Sequence, residues 1–168
     1  MVVYINRHLK DVAMTLAEKN ETAAGGRKRV VDLLARAERQ ELLAAWDKLA
    51  EKPAVQPVRG PETGLVMVRG RMGGGGAPFN LGEVTVTRAT VRLASGTVGH
   101  AQALGTDREK ARLSAIFDAL WQEPVTQPLV EQALLQPIAS RVADADRRKA
   151  DETAATRVDF FTMVRGDD

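Results

Sequence analysis

The spacing of apolar positions divides the chain into a helical first part, a β-rich centre and a helical last part. From Arg27, the residues Val30, Leu33, Leu34 and Ala37 fall on one helical face. Continuing that phase would put Glu41 inside, whereas the next apolar set is Leu42, Leu43, Trp46, Leu49 and Ala50. The phase slips, which predicts two helices broken between Ala37 and Gln40. Read as a DNA-binding helix-turn-helix, the pair fits poorly: its turn lacks glycine, and Glu41, Asp47 and Glu51 on the second helix would repel phosphates. Upstream, Leu9, Val12, Ala13 and Leu16 repeat at helical spacing until Asn20, Glu21 and the Gly25-Gly26 pair end the pattern. Residues 1–26 are therefore expected to form a flexible extension.

Pro53, Pro57, Gly60 and Pro61 mark a connection, with residues 55–59 as a candidate edge strand. Residues 65–68 are apolar in succession, the pattern of a strand covered on both faces. That strand runs into Arg69, Gly70, Arg71 and Met72, then into four glycines, Gly73, Gly74, Gly75 and Gly76. A second strand pattern begins at Glu83, after Pro78 and Asn80. Within it, Val84 and Val86 share one parity and Ala89, Val91 and Leu93 the other, which predicts a β-bulge near Thr87 and Arg88. Arg88 and Arg92 are then displayed opposite the core. Ala94, Ser95 and Gly96 close a hairpin into residues 97–104, where Gly99, Ala101 and Ala103 leave so little side chain that a helix or another subunit can approach closely.

Thr106 to Glu109 has capping-box spacing, with Thr106 as the expected cap. The helix it opens buries Leu113, Ile116, Phe117 and Leu120 and stops at Pro124. Thr126 and Pro128 restart a short helix through Val130, Ala133 and Leu134. Pro137 begins another, largely solvated, that reaches about Thr156. In the terminal segment, Phe160 and Val164 point one way and Phe161 and Met163 the other if it is extended. Such a segment needs cover, as an added strand in its own sheet or inside a partner. The fold class expected is α+β, an antiparallel sheet from the central hairpins packed against N-terminal and C-terminal helices.

Composition narrows the chemistry. With 168 residues the chain can bury a core as one domain. It has no cysteine, which excludes an iron–sulfur cluster, a thiolate nucleophile and a cysteine-ligated zinc on this chain. The 24 Lys+Arg against 22 Asp+Glu leave +2, a dispersed surplus and not the basic tract of a nucleic-acid binder. No apolar run approaches the roughly 20 residues that span a bilayer. A soluble, cytoplasmic protein is expected.

Glycines beside arginines suggest a phosphate cradle, because backbone amides approach an oxyanion only where no side chain intervenes. A nucleotide-hydrolase loop is disfavoured: there is no Gly-Lys-Ser/Thr ending, and a strand follows where a helix N-terminus would be needed. Two readings stand, a hairpin tip ordered by a neighbour and an anion site built from Arg69, Arg71 and Gly73 to Gly76. Arg88, Arg92 and His100 are further anion-contact candidates. His100 has only His8 for company, so no metal site is expected.

Three segments, ETGLVMVRGRMGGGG, GEVTVTRATVRLASGTVGHA and VDFFTMVRGD, occur in this order. Together they resemble the G subunit of the bacterial carbon–phosphorus lyase core complex, the PhnG family, over residues 27–168. The resemblance implies one α+β domain from 27 to 168 and membership of a cytoplasmic assembly for phosphonate use, an obligate hetero-oligomer with the H, I and J subunits and with L and K. It implies that the G, H, I and L subunits together displace adenine from MgATP with a phosphonate, giving α-D-ribose 1-methylphosphonate 5-triphosphate. MgATP is then a substrate of the complex, and no cofactor sits on this chain. No catalytic residue carries over. Arg69 and Arg71 with the glycine loop can contact a phosphate-bearing substrate or a partner's carboxylates, and Phe160, Phe161, Met163 and Arg165 are candidates for a partner interface. The alternative is a stand-alone anion-binding or scaffold protein.

Overall fold

A computed structural model describes residues 25–73 and 75–156. Most of the expected extension, Gly74, and the segment holding Phe160, Phe161, Met163 and Arg165 lie outside the described residues. Helix α1 spans 25–36, so Gly25 and Gly26 open a helix instead of closing the extension. At Gly26 an added Cβ would meet Cη2 of Trp121 at 3.4 Å, a close but ordinary contact. The predicted break falls at Ala37 and Glu38. Helix α2, Arg39–Asp47, starts where the Glu38 amide donates to Glu41 Oε2 at 2.7 Å. Val30, Leu34 and Ala37 from the first phase and Leu42 and Ala45 from the second are buried, so each phase serves its own helix.

The sheet has three antiparallel strands in the order β1-β2-β3: β1 Val55–Arg71, β2 Pro78–Leu93 and β3 Val98–Leu104. The edge strand expected at 55–59 is the start of β1, which continues to Arg71. β2 starts at Pro78, five residues before the expected Glu83, because Pro78, Phe79 and Asn80 already pair with Arg71, Gly70 and Arg69. The bulge expected in β2 near Thr87 and Arg88 falls on the opposite strand: the extra residue is in β1, between Arg59 and Glu62, facing Arg88 to Thr90. Val86 to Arg92 pair with Leu104 to Val98 without a shift, and the irregularities lie on either side of Arg59 in β1 and opposite Gly82 and Asn80. The change of parity needs no bulge, since only Thr87, Ala89, Val91 and Leu93 face the core; Val84 and Val86 lie beyond it on the other face.

Helix α3, Arg108–Trp121, is the centre of the molecule, with every residue from Leu113 to Leu120 buried. Its cap is Asp107, whose carboxylate accepts from the Lys110 amide at 2.9 Å, and not Thr106 as the capping-box spacing suggests. One side packs on the sheet where β3 is stripped to Gly99, Ala101 and Ala103. A Cβ on Gly99 would lie 2.0 Å from the Ala115 carbonyl oxygen, so only glycine admits the helix. The other side meets the remaining helices, and Ser114 Oγ donates to the Leu34 carbonyl at 3.4 Å. Helix α4, Gln127–Val130, passes through a π turn, Glu131–Leu135, into helix α5, Gln136–Ala155. Of α5 only Ile138 is buried. Arg141 ties it back to Glu41 at 2.8 Å and Arg36 to Asp146 at 3.3 Å. The architecture is α+β, as expected.

Candidate functional site

The glycine loop caps a hairpin whose last part stands clear of the other described residues. β3 pairs with β2 only as far as Val86, and α3 covers only that end of the sheet. Beyond that pair, residues 65–71 and 78–85 form a two-stranded arm. Residues 65–68, expected to be covered on both faces, are bare or only half-covered in this chain: Leu65 is 64% exposed, Val66 48% and Met67 45%. They have the apolar composition of a covered strand without the cover.

Arg69 and Arg71 stand at the tip of that arm, both exposed, and among the described residues neither has a carboxylate within ion-pair distance. Arg71 Nη1 donates instead to the Gly76 carbonyl at 3.2 Å, and the Gly76 amide donates to the Met72 carbonyl at 2.9 Å. Gly73, with φ +58°, makes the turn that a side chain would strain. Two of the loop's polar groups are thus committed to holding its shape. The Arg69 guanidinium and the remaining Arg71 donors face solvent, which suits a phosphate or a carboxylate equally.

The other candidates form a second cluster at the base of the sheet, on the face away from α3. Arg88 pairs with Gln102, Thr90 with His100 and Arg92 with Val98 across β2 and β3. Arg88 and Arg92 are displayed opposite the core as expected, but Arg88 Nε is bound by Glu62 at 2.9 Å, and Arg59 reaches the same carboxylate at 2.5 Å. Burial works to raise the Glu62 carboxyl, yet the hydrogen bond from Arg88 and the charges of both arginines prevail and hold it below the usual range. Arg92 borders a shallow groove with Gln56 and Gly96. His100 Nδ1 lies 3.1 Å from Thr90 Oγ1, and no carboxylate reaches its ring among the described residues. The loop cluster and the base cluster lie at opposite ends of the hairpin, so the structure does not gather the candidates into one pocket.

Asp118 is a polar centre that sequence reading did not single out. It lies in the apolar phase of α3, between Phe117 and Ala119, and is fully buried. Arg27 donates to it through Nε at 3.2 Å and Nη2 at 2.8 Å, and the His100 amide donates at 2.8 Å. Gln122 and Arg27 both donate to the Val98 carbonyl. The hydrogen bond to Asp118 raises the Arg27 guanidinium further above its ordinary value, against the opposing effect of burial. Together these groups satisfy the outward-facing backbone of β3 and close that edge of the sheet. An acid at a core position of a helix was the available signal.

Among the described residues, one face of the sheet is covered, an apolar ribbon is bare and basic groups are spread along it, features shared with components of larger assemblies. A sequence model of the family described as "Phosphonate metabolism protein PhnG" matches residues 25–166. The chain is 59% identical over 160 residues to the "Alpha-D-ribose 1-methylphosphonate 5-triphosphate synthase subunit PhnG" of Rhizobium meliloti (strain 1021), covering 95% of this chain and all of the relative. The chain belongs to the PhnG family of phosphonate metabolism proteins. The alignment with the relative is longer than the family match, so part of residues 1–26 is shared with it.

Proposed function

We propose that the chain is the G subunit of an α-D-ribose 1-methylphosphonate 5-triphosphate synthase and acts as an accessory subunit in the cytoplasm. The observation that carries this reading is the 59% identity across the whole length of a relative named as that subunit. The bare arm gives it physical sense, because a chain that buries its apolar surface only in an assembly exposes it alone. The complex transfers the ribose triphosphate of MgATP to methylphosphonate and releases adenine, with the H, I and L subunits as co-workers and J and K as further members of the assembly. The single domain expected over 27–168 starts two residues earlier, with helix α1 at residue 25, and residues 1–24 precede it as an extension.

Within that reading, Arg69, Arg71 and Gly73 to Gly76 contact a phosphate-bearing group or a partner's carboxylates, Arg88, Arg92 and His100 offer a second basic contact, and Phe160, Phe161, Met163 and Arg165 anchor the C-terminal segment in a neighbour. The test is co-expression of the tagged chain with the host's H, I, J, K and L subunits, recording the native mass of what co-purifies and adenine release from MgATP and methylphosphonate. A stoichiometric complex whose adenine release requires this chain is expected. Recovery of the chain alone, monomeric and binding inorganic phosphate by itself, would favour the stand-alone anion-binding alternative.

A further inference from the structure

From the Leu65↔Thr85 pair to the Arg71↔Pro78 pair, β1 and β2 pair only with each other among the described residues, apart from the Gly105 amide that donates to the Thr85 carbonyl at 2.9 Å, in a ribbon roughly 20 Å long at the usual rise per strand residue. Pair alternation places Leu65 and Met67, with Thr85 and Glu83, on the side that continues the face packed on α3. Val66 and Val84 lie on the opposite side, in line with Val86 and its partner Leu104. Further out, Gly70 lets Leu81 lie across the strand: a Cβ there would come within 2.7 Å of Leu81 Cδ1. Leu81 itself is 63% exposed. The ribbon carries exposed apolar side chains on both faces, whereas a two-stranded hairpin on its own is marginal in water.

Its edges point the same way. β1 is an outer strand of the sheet. Near its base Pro57, Pro61 and two register shifts blunt that edge, but residues 62–68 pair with β2 without interruption and contain no proline. The β3 edge, in contrast, is closed by Asp118, Arg27 and Gln122. The charges of the arm are Arg69 and Arg71 at the tip against the single acid Glu83.

We infer that the arm, residues 65–71 and 78–85, is a two-sided docking element clasped by a different subunit of the same synthase, whose seat offers apolar groups on both walls and acidic ones where it meets Arg69 and Arg71. This rests on the reading of the chain as a synthase subunit. A second copy of the chain fits less well, because its own arm would bring a like-charged tip.

The experiment compares the full-length chain with three variants in the co-expressed complex. Leu65→Ser/Met67→Ser alters one face, Val66→Ser/Val84→Ser the other, and Arg69→Glu/Arg71→Glu reverses the tip. All six side chains are solvent-exposed in this chain, so each variant is expected to melt as the parent does, which is checked on the purified chain. Each face variant is expected to lower the amount of partner subunit recovered by about tenfold or more, and the charge reversal to weaken retention most at low salt. Undiminished recovery with both face variants would overturn the docking inference while leaving the subunit reading intact, since the parent chain would still co-purify. If the parent chain recovers no other subunit, the subunit reading falls and the inference with it. A self-associated parent chain dispersed by Leu65→Ser/Met67→Ser would assign the arm to a second copy and overturn the hetero-partner claim.

Discussion

The two ends of the same pair of strands differ in the way their side chains are used. At the base, Thr87, Ala89, Val91 and Leu93 face α3 while Arg88 and Arg92 face water, a strict alternation with one dry side. In the arm, Leu65, Val66 and Met67 are apolar in succession and all exposed. The base is specified by partners within the chain, down to a glycine at 99 that admits a helix backbone. The arm has the same strand chemistry and no such partner among the described residues. A sheet that is finished at one end and unfinished at the other is the physical signature of a subunit.

The largest effect is expected at the finished end. Gly99→Val would place a side chain within 2.0 Å of the Ala115 carbonyl and force α3 off the sheet. A loss of about 3 kcal/mol or more, or failure to fold, is expected in urea unfolding. Asp118→Ala comes next. It strands Arg27 and leaves the His100 amide without its acceptor, for a cost of about 3 kcal/mol. Asp118→Asn keeps a carbonyl oxygen for the amide and is expected to lose less.

A smaller change is expected where α5 is tied to α2. Burial works to raise Glu41, but the hydrogen bonds from Arg141 and from the Glu38 amide, with the charge of Arg141, hold its carboxyl below the usual range. A carboxylate with a depressed folded pKa contributes stability that is fully present above its unfolded value, near 4.5, and lost as pH falls through the folded one. Arg141→Ala should therefore cost about 1 kcal/mol at neutral pH, kept small because the guanidinium is partly in water, and the difference from the parent should narrow as the pH falls below 4.5. The measurement is urea unfolding at pH 7 and pH 3.

The smallest effect on stability is expected in the arm itself. Leu65→Ser/Met67→Ser should move the stability of the isolated chain by less than about 0.5 kcal/mol, since neither side chain has a core to leave. A larger loss would mean that the arm is packed within its own chain, and the contrast with the base would disappear.

Much of this fold is legible in the pattern of residues. The break between α1 and α2 follows from the phase slip at Ala37, and the close approach at β3 follows from Gly99, Ala101 and Ala103. Where reading failed, two causes recur. Thr106 has the spacing of a cap, but Asp107 wins because its carboxylate is placed to accept the Lys110 amide. The mixed parity of β2 suggested a bulge because both valine sets were assumed to share one core, whereas half of the strand lies beyond it. The same assumption gave residues 65–68 a cover that the described residues do not supply. Apolar sequence reports that a surface is to be buried; it does not say by which chain. Asp118 escaped notice because a buried acid is explained only by groups distant in sequence, Arg27 and the β3 edge.

The most direct test is amide hydrogen exchange on the purified chain and on the co-purified complex, followed in residues 65–71 and 78–85 beside 99–103 as an internal reference. The account predicts strong protection at 99–103 in both samples, fast exchange in the arm of the isolated chain, and slowing of arm exchange by at least about a hundredfold in the complex. An arm that exchanges equally fast in the complex, with the complex demonstrably assembled, would contradict it.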